Sequence, residues 1–369
     1  MGTGSVYRRK DGRWVAAVTV GGKRKVAYAR TKRQAREKLA LLVREAARGS
    51  IPQPGKRTLD DLVEQFLEVS AHSLKPRTLD DYKKTYERHV KPMLGSVRLS
   101  KLEPSHVQLL YTALQGQCKH RTAQKCHAVL HRALKFGVLW GWLSENPCDR
   151  VLRPRYRPDR KELWTPEELA IFLEGARGHW LYPLYLLLVA TGARVGELLA
   201  LTWRDVDFRA GTINITKSGQ HIGGKWVVGT PKTEAGARTL TLPTVAVAAL
   251  RRQRAQQLEW RLRAGSGWSD YGLVFTQRFG APLRCSDVAH AFRKLCVRIG
   301  VRTIRVHDLR HLHASLLLNQ GISLADVSKR LGHANVHVTA SIYAHAIDKR
   351  DERAARAIER VLALARGGG

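Results

Sequence analysis

Hydrophobic positions follow three different rhythms along the chain. Between Arg13 and Val20 they alternate, with Trp14, Ala16, Val18 and Val20 on one side, the period of a half-buried strand. Gly21-Gly22 is a two-residue turn, and Lys23–Ala29 returns as the partner strand. Thr31 and Gln34 then set a capping-box pattern, and Ala35, Leu39, Leu42, Val43 and Ala46 recur at helical spacing until Gly49. Ile51-Pro52-Gln53-Pro54-Gly55 has the composition of a linker.

From residue 58 to about 147 only the helical period is found. Leu59, Leu62, Val63, Phe66 and Leu67 open a first helix, others begin near Thr78 and after Ser105, and a fourth spans Arg121 to Trp142 before Asn146-Pro147 stops it. Arg150–Lys161 is a basic, proline-containing connection. From Thr165 the rhythm is mixed. Thr165-Pro166-Glu167-Glu168 starts a helix, Leu181–Ala190 reads as a buried one, and Thr212–Thr216, Lys225–Thr230 and Ala237–Leu242 are short strands. After Pro243 helices return until Ala365. The pattern predicts an α+β multidomain chain. Its parts are a small β-sheet-plus-helix domain (1–50), a linker (51–57), an all-α domain (58–149), a basic linker (150–163) and a mainly α domain with a small antiparallel sheet (164–369).

Charge narrows the class of partner. The chain carries 64 Lys plus Arg against 31 Asp plus Glu, a formal charge of +33. Residues 1–56 hold 15 basic against 3 acidic residues, 57–160 hold 19 against 11, and 161–369 hold 30 against 17. Every segment is basic, which predicts contact with a polyanion along the whole length, double-stranded DNA above all. Candidate contacts are Arg8, Arg9, Lys10, Arg13, Lys23, Arg24 and Lys25 in the first domain, and Arg153, Arg155 and Arg157 in the basic linker. Cys118, Cys126, Cys148, Cys285 and Cys296 include no Cys-x-x-Cys and read as reduced thiols. No apolar run is long enough to span a membrane, and Met1–Lys10 has no apolar leader, so a cytoplasmic, nucleoid-associated protein is expected.

Four short motifs in the last domain converge on one chemistry. They are Thr191-Gly192-Ala193-Arg194-Val195-Gly196-Glu197-Leu198, Pro231-Lys232-Thr233, His307-Asp308-Leu309-Arg310, and Leu331-Gly332-His333 with Tyr343 ten residues later. Arg194 with Glu197, and His307 with Arg310, stand at the three-residue spacing that shares a helix face. Singly, each has a bland alternative: a surface ion pair, a core histidine, a solvated lysine or a packed tyrosine.

Together, in this order and spacing, the motifs resemble the signature of the tyrosine recombinase (phage integrase) family over roughly Thr165 to His345. Gly4–Trp14 resembles the arm-site-binding domain of many such integrases, and the helical domain resembles their core-binding domain. The resemblance implies the tyrosine recombinase fold, a catalytic last domain, and strand cleavage through a 3′-phosphotyrosine. In that scheme Tyr343 is the nucleophile, Arg194, Arg310 and His333 hold the phosphate oxygens, and His307 is the best candidate for the base. Lys232 is the general acid, and Glu197 orients the site. It further implies a homo-tetramer on core and arm attachment sites, working through a Holliday junction and aided by a directionality factor or host DNA-bending protein. The linkage energy is conserved in the phosphotyrosine, so no cofactor and no metal is expected.

Three rival functions share part of this pattern. A chromosome-dimer resolvase usually lacks the extra N-terminal domain, a topoisomerase uses the same tyrosine chemistry on a single duplex, and a catalytically dead regulator would not need the whole constellation. Gly219–Lys225 matches a P-loop, but Trp226 replaces the magnesium-binding hydroxyl and the context is a hairpin. His307, His311 and His313 lack a ligand set at metal spacing, and the latter two are expected near DNA or packed in the domain. Ile347, Ala354, Ile358, Val361 and Leu362 form an apolar stripe beyond Tyr343 that packs on its own domain or on a neighbouring protomer.

Overall fold

The computed structural model describes residues 4–20, 23–47, 56–156, 162–230, 236–333, 335 and 340. The chain forms two compact units, Met1–Asp159 and Arg160–Gly369.

The N-terminal module is a three-stranded antiparallel sheet, β1 (Ser5–Arg8), β2 (Trp14–Val20) and β3 (Lys23–Ala29), with helix α1 (Lys32–Ala47). Strand β1 was not legible in the sequence because it is four residues long and mostly exposed, leaving no alternation to read. A Cβ on Gly4 would collide with the side chain of Leu39, which fixes the α1-facing side as Gly4, Val6, Ala16 and Val18. Trp14 and Val18 share that side as the alternation predicts, yet Val15 and Ala17 are buried as well. They sit at the centre of the opposite, open face, shielded by the cross-strand rows Tyr7–Val15–Tyr28 and Ser5–Ala17–Val26. The Gly21-Gly22 turn and linker residues 51–55 lie outside the described residues.

The helical part contains α2 (Leu59–Ser70), α3 (Pro76–Thr85), a π-helical turn (Tyr86–Val90), α4 (Lys91–Leu94), α5 (Pro104–Gly116) and α6 (His120–Leu139). The stripe Leu59, Leu62, Val63 and Phe66 is fully buried against Leu110, Tyr111, Leu130 and Leu134. Thr58 and Asp61 close the capping box that starts α2. Helix α6 stops three residues short of Trp142, because Gly141 turns left-handed (φ 71°) and lets Trp142 and Leu143 hydrogen-bond back to the Gly137 carbonyl.

The second unit opens with α7 (Pro166–Ala176), capped by Thr165, then α8 (Tyr182–Thr191) and α9 (Val195–Leu199). A sheet of order β4-β5-β8 follows from β4 (Val206–Asp207), β5 (Thr212–Ile215) and β8 (Arg238–Thr241), interrupted by the hairpin β6 (Ser218–Ile222) and β7 (Lys225–Gly229). The P-loop-like segment is therefore strand β6 and its turn. Gly223 and Gly224 both have positive φ, as a two-residue hairpin requires, and the Trp226 ring covers Gly219. Helices α10 (Thr244–Ala264), α11 (Cys285–Ile299), α12 (Asp308–Asn319) and α13 (Leu324–Leu331) complete the described part. Helix α8 is apolar on nearly every side because α10 and α12 both pack on it. Trp164, Phe172, Tyr185 and Phe292 form an aromatic cluster in the same core. The stripe expected beyond Tyr343 lies outside the described residues.

Candidate active site

The site is built where α8, α12, α13 and β8 meet. Helix α8 ends on Gly192 in the left-handed conformation (φ 64°), and a Cβ there would strike the His313 ring and the Leu331 side chain. This turn leaves the Gly192 carbonyl to Arg310, whose Nη1 donates to it at 2.7 Å. The other terminal nitrogen of Arg310 donates to the Leu331 carbonyl at 2.6 Å, at the end of α13. One buried guanidinium thus bridges two helix C-termini, whose carbonyls lack partners within their own helices and carry partial negative charge.

Two residues after Gly192, Arg194 is the N-cap of α9 and Glu197 its third helical residue. The Arg194 amide donates to Glu197 Oε2 at 3.0 Å, and its Nη1 donates to Oε1 at 2.7 Å. Arg238 of β8 donates to Oε2 from the far side at 2.9 Å. Burial by itself would raise the Glu197 carboxyl, but Arg238 and Arg194 hold it below the usual glutamate range. Arg238 also donates Nε to the Arg330 carbonyl at 2.7 Å and Nη1 to the Gly236 carbonyl at 2.8 Å. The links close a circuit from Gly192 through Arg194, Glu197, Arg238, the Arg330–Leu331 carbonyls and Arg310 back to Gly192.

His333 follows two residues after Leu331, beyond Gly332, whose left-handed backbone caps α13. Burial and the positive charges of Arg310 and Arg194 push its pKa down to about 4. His307, at the N-terminus of α12, is likewise pushed down to about 4, by burial first and then by His311 and Arg310. Its ring meets that of His311 edge-to-face, centroids 5.3 Å apart. Asp308 is buried and takes a two-pronged pair from Arg305. His313 packs inside the domain: Nδ1 bonds the Val189 carbonyl at 2.7 Å and Nε2 accepts from Arg330 at 3.2 Å. The structure therefore brings Arg194, Glu197, Arg310 and His333 together, with His307 one helical turn before Arg310. Lys232 and Tyr343 lie outside the described residues. Among the described residues no group of three or more His, Cys, Asp or Glu is placed to hold a metal ion.

The candidate DNA contacts are distributed over the first unit. Arg9 and Arg13 lie over the Tyr28 ring and Arg24 over Tyr7, on the open face of the sheet, while Arg13 also pairs with Asp11. Arg8 and Lys10 are exposed and Lys25 is half-buried. Arg153 and Arg155 are exposed, whereas the Lys23 side chain and Arg157 lie outside the described part. Two features went unread in the sequence. Arg121, Lys125, Arg132 and Lys135 form an exposed basic stripe along α6, readable from their spacing of three, four and seven. Arg238 was signalled by sharing the inward side of β8 with Leu240, a place where an arginine needs a buried partner.

Comparison with known proteins agrees with this architecture. Residues 166–350 match the model of the phage integrase family, and residues 58–115 match the phage integrase N-terminal SAM-like domain. The chain is 31% identical over 353 residues to a "Tyrosine recombinase XerC-like" protein of Caldanaerobacter subterraneus subsp. tengcongensis, covering 90% of each chain. Its fold resembles the Tn1549 transposon integrase bound to transposon right-end DNA, with a TM-score of 0.68, 20% identity, and 81% of this chain and 100% of that one covered. It also resembles the lambda integrase tetramer bound to a Holliday junction, with a TM-score of 0.61, 18% identity, and 91% and 94% covered.

The buried histidines set a pH dependence. His307, His313 and His333 each fall from an ordinary 6.5 to about 4 in the fold, so below pH 6.5 the unfolded chain takes up protons that the folded chain refuses. Stability is lost as pH falls from 6.5 towards 4. The thermal midpoint should drop between pH 7 and pH 5, and His313→Gln should reduce that drop. A drop of unchanged size in the variant would remove His313 from the account.

Proposed function

The chain belongs to the phage integrase family of tyrosine recombinases, enzymes that break and rejoin DNA, and on that premise we propose how its own residues perform the reaction. The observation that carries the reading is the closed circuit, which keeps Arg194 and Arg310 within electrostatic reach of one imidazole, His333. A scissile phosphodiester lies between these groups. The Tyr343 phenolic oxygen attacks phosphorus, the bond from phosphorus to the 5′ oxygen breaks, and the 3′ end remains as a phosphotyrosine. The two guanidiniums neutralise the extra negative charge of five-coordinate phosphorus, and His333 adds a hydrogen bond to the same oxygens.

His307 takes the phenolic proton, and Lys232 gives one to the departing 5′ oxygen. Burial and the cationic surroundings keep His307 neutral in the unliganded protein, hence able to accept. Arrival of the phosphate anion offsets the charges of Arg194 and Arg310 and raises both His307 and His333 towards their ordinary range. Rejoining runs the steps backwards with a 5′ hydroxyl from another strand, needing neither nucleotide nor metal.

Four protomers act together on a Holliday junction in this reading, by analogy with the lambda integrase assembly. The basic stripe of α6 and Arg153 and Arg155 follow the core duplex. The open face of the N-terminal sheet takes a separate arm site, its arginines pre-ordered by stacking on Tyr7 and Tyr28. A directionality factor or host DNA-bending protein assists by bending DNA between the two sites. No helix among the described residues is long and apolar enough to cross a membrane, and the reaction is assigned to the cytoplasm, on the nucleoid.

Tyr343→Phe should bind core DNA with wild-type affinity and form no covalent adduct on a nicked suicide duplex. A protease-sensitive protein–DNA adduct persisting in the variant would place the nucleophile elsewhere. Deleting residues 1–56 should leave cleavage of a short core duplex largely intact and impair recombination between full attachment sites. Footprints confined to the crossover region, and unchanged by the deletion, would contradict a second site.

A further inference from the structure

Arg238 stands outside the set of residues that meet the phosphate in the reaction above, yet two of the bonds in the circuit are its own. Its side chain is 8% exposed, against 27% for Arg194. Each of its three nitrogens is engaged inside the domain, on Glu197, on the Arg330 carbonyl and on the Gly236 carbonyl. With Nε, Nη1 and Nη2 all spent on these acceptors, its role lies inside the domain. We propose that Arg238 is a positioning residue for strand cleavage, holding Arg194 through Glu197, and Arg310 and His333 through the end of α13. The proposal rests on the reading of the site given above.

The physical reason lies in the two oxygens of Glu197. Arg194 reaches Oε1 with one terminal nitrogen, while Oε2 is taken by Arg238 and by the Arg194 backbone amide. With Arg238 removed, a buried carboxylate would keep only one cationic partner. The favoured response is for the Arg194 side chain to swing into a two-pronged pair with Glu197, the strongest geometry open to a guanidinium and a carboxylate. Arg194 would then be turned from the phosphate without leaving the protein. At the same time the Arg330 carbonyl would lose its donor. The neighbouring Leu331 carbonyl, which anchors Arg310, and the backbone leading to His333 would gain freedom. Misplacement of a clamp by about an ångström can cost a hundredfold in rate.

Arg238→Met keeps the length of the side chain and removes its charge and donors. Single-turnover cleavage of a core suicide duplex should fall about a hundredfold or more, with DNA affinity kept within about threefold. Combined with Arg194→Ala, it should add no more than about threefold to the loss that Arg194→Ala causes alone. A duplex carrying a methylphosphonate at the scissile position removes the charge that the clamp neutralises, and the Arg238→Met penalty should shrink on it to below about tenfold. A purely structural role would leave that penalty equal on both substrates and multiply it onto Arg194→Ala; either result overturns the proposal. Should Arg238→Met fail to fold, Arg238→Lys, which keeps the charge but cannot span from one nitrogen the three acceptors that three nitrogens reach, enters the same comparisons. Wild-type cleavage by Arg194→Ala would instead overturn the site reading itself.

Discussion

A DNA-cleaving site of this kind must hold several positive charges close together before any substrate arrives. Here each guanidinium is fixed by an acceptor inside the domain. Arg194 and Arg238 share the carboxylate of Glu197, and Arg310 bridges the carbonyls at the ends of α8 and α13. Helix C-termini are suited to this task, because their last carbonyls need donors and carry the negative end of the helix dipole. Gly192 and Gly332 are the backbone conditions for it, since both helix ends turn left-handed at the glycine. In the proposed reaction the phosphate meets donors that are already ordered, and little reorganisation is needed at the moment of reaction.

The same arrangement governs the histidines. Burial first, and then the neighbouring cations, keep His307 and His333 neutral in the free protein. His313 serves a different end. Its two ring nitrogens join the Val189 carbonyl to Arg330, tying α12 to the ends of α8 and α13. Burial first, and then the charge of Arg330 beside it, hold the ring neutral.

Much of this was legible in the sequence, for physical reasons that differ by region. Helices with a single buried face, such as α2 with Leu59, Leu62, Val63 and Phe66, announce themselves by period and cap. Strands β1 and β6 did not, since one is short and exposed and the other has Ile222 as its one large apolar residue, with the Trp226 ring over Gly219. Motif spacing picked out Arg194, Glu197, His307, Arg310 and His333 as a group. It carried no information on Arg238, whose relation to Glu197 spans 41 residues and exists only in the folded sheet. Nor does spacing reveal that Arg310 points into two helix ends, because its acceptors are backbone carbonyls that every residue possesses.

In the proposed mechanism the forked, pre-anchored guanidinium of Arg310 stabilises the transition state beyond what a positive charge at that place supplies. Arg310→Lys tests it most directly, because an ammonium has a single nitrogen and cannot bridge two helix ends while meeting a phosphate oxygen. The measurement is the single-turnover rate of covalent adduct formation on a suicide core duplex, with DNA affinity determined in parallel. The account predicts a loss of about a hundredfold or more in rate at nearly unchanged affinity. Cleavage near the wild-type rate would contradict it, and would mean that Arg310 contributes only to the general positive field.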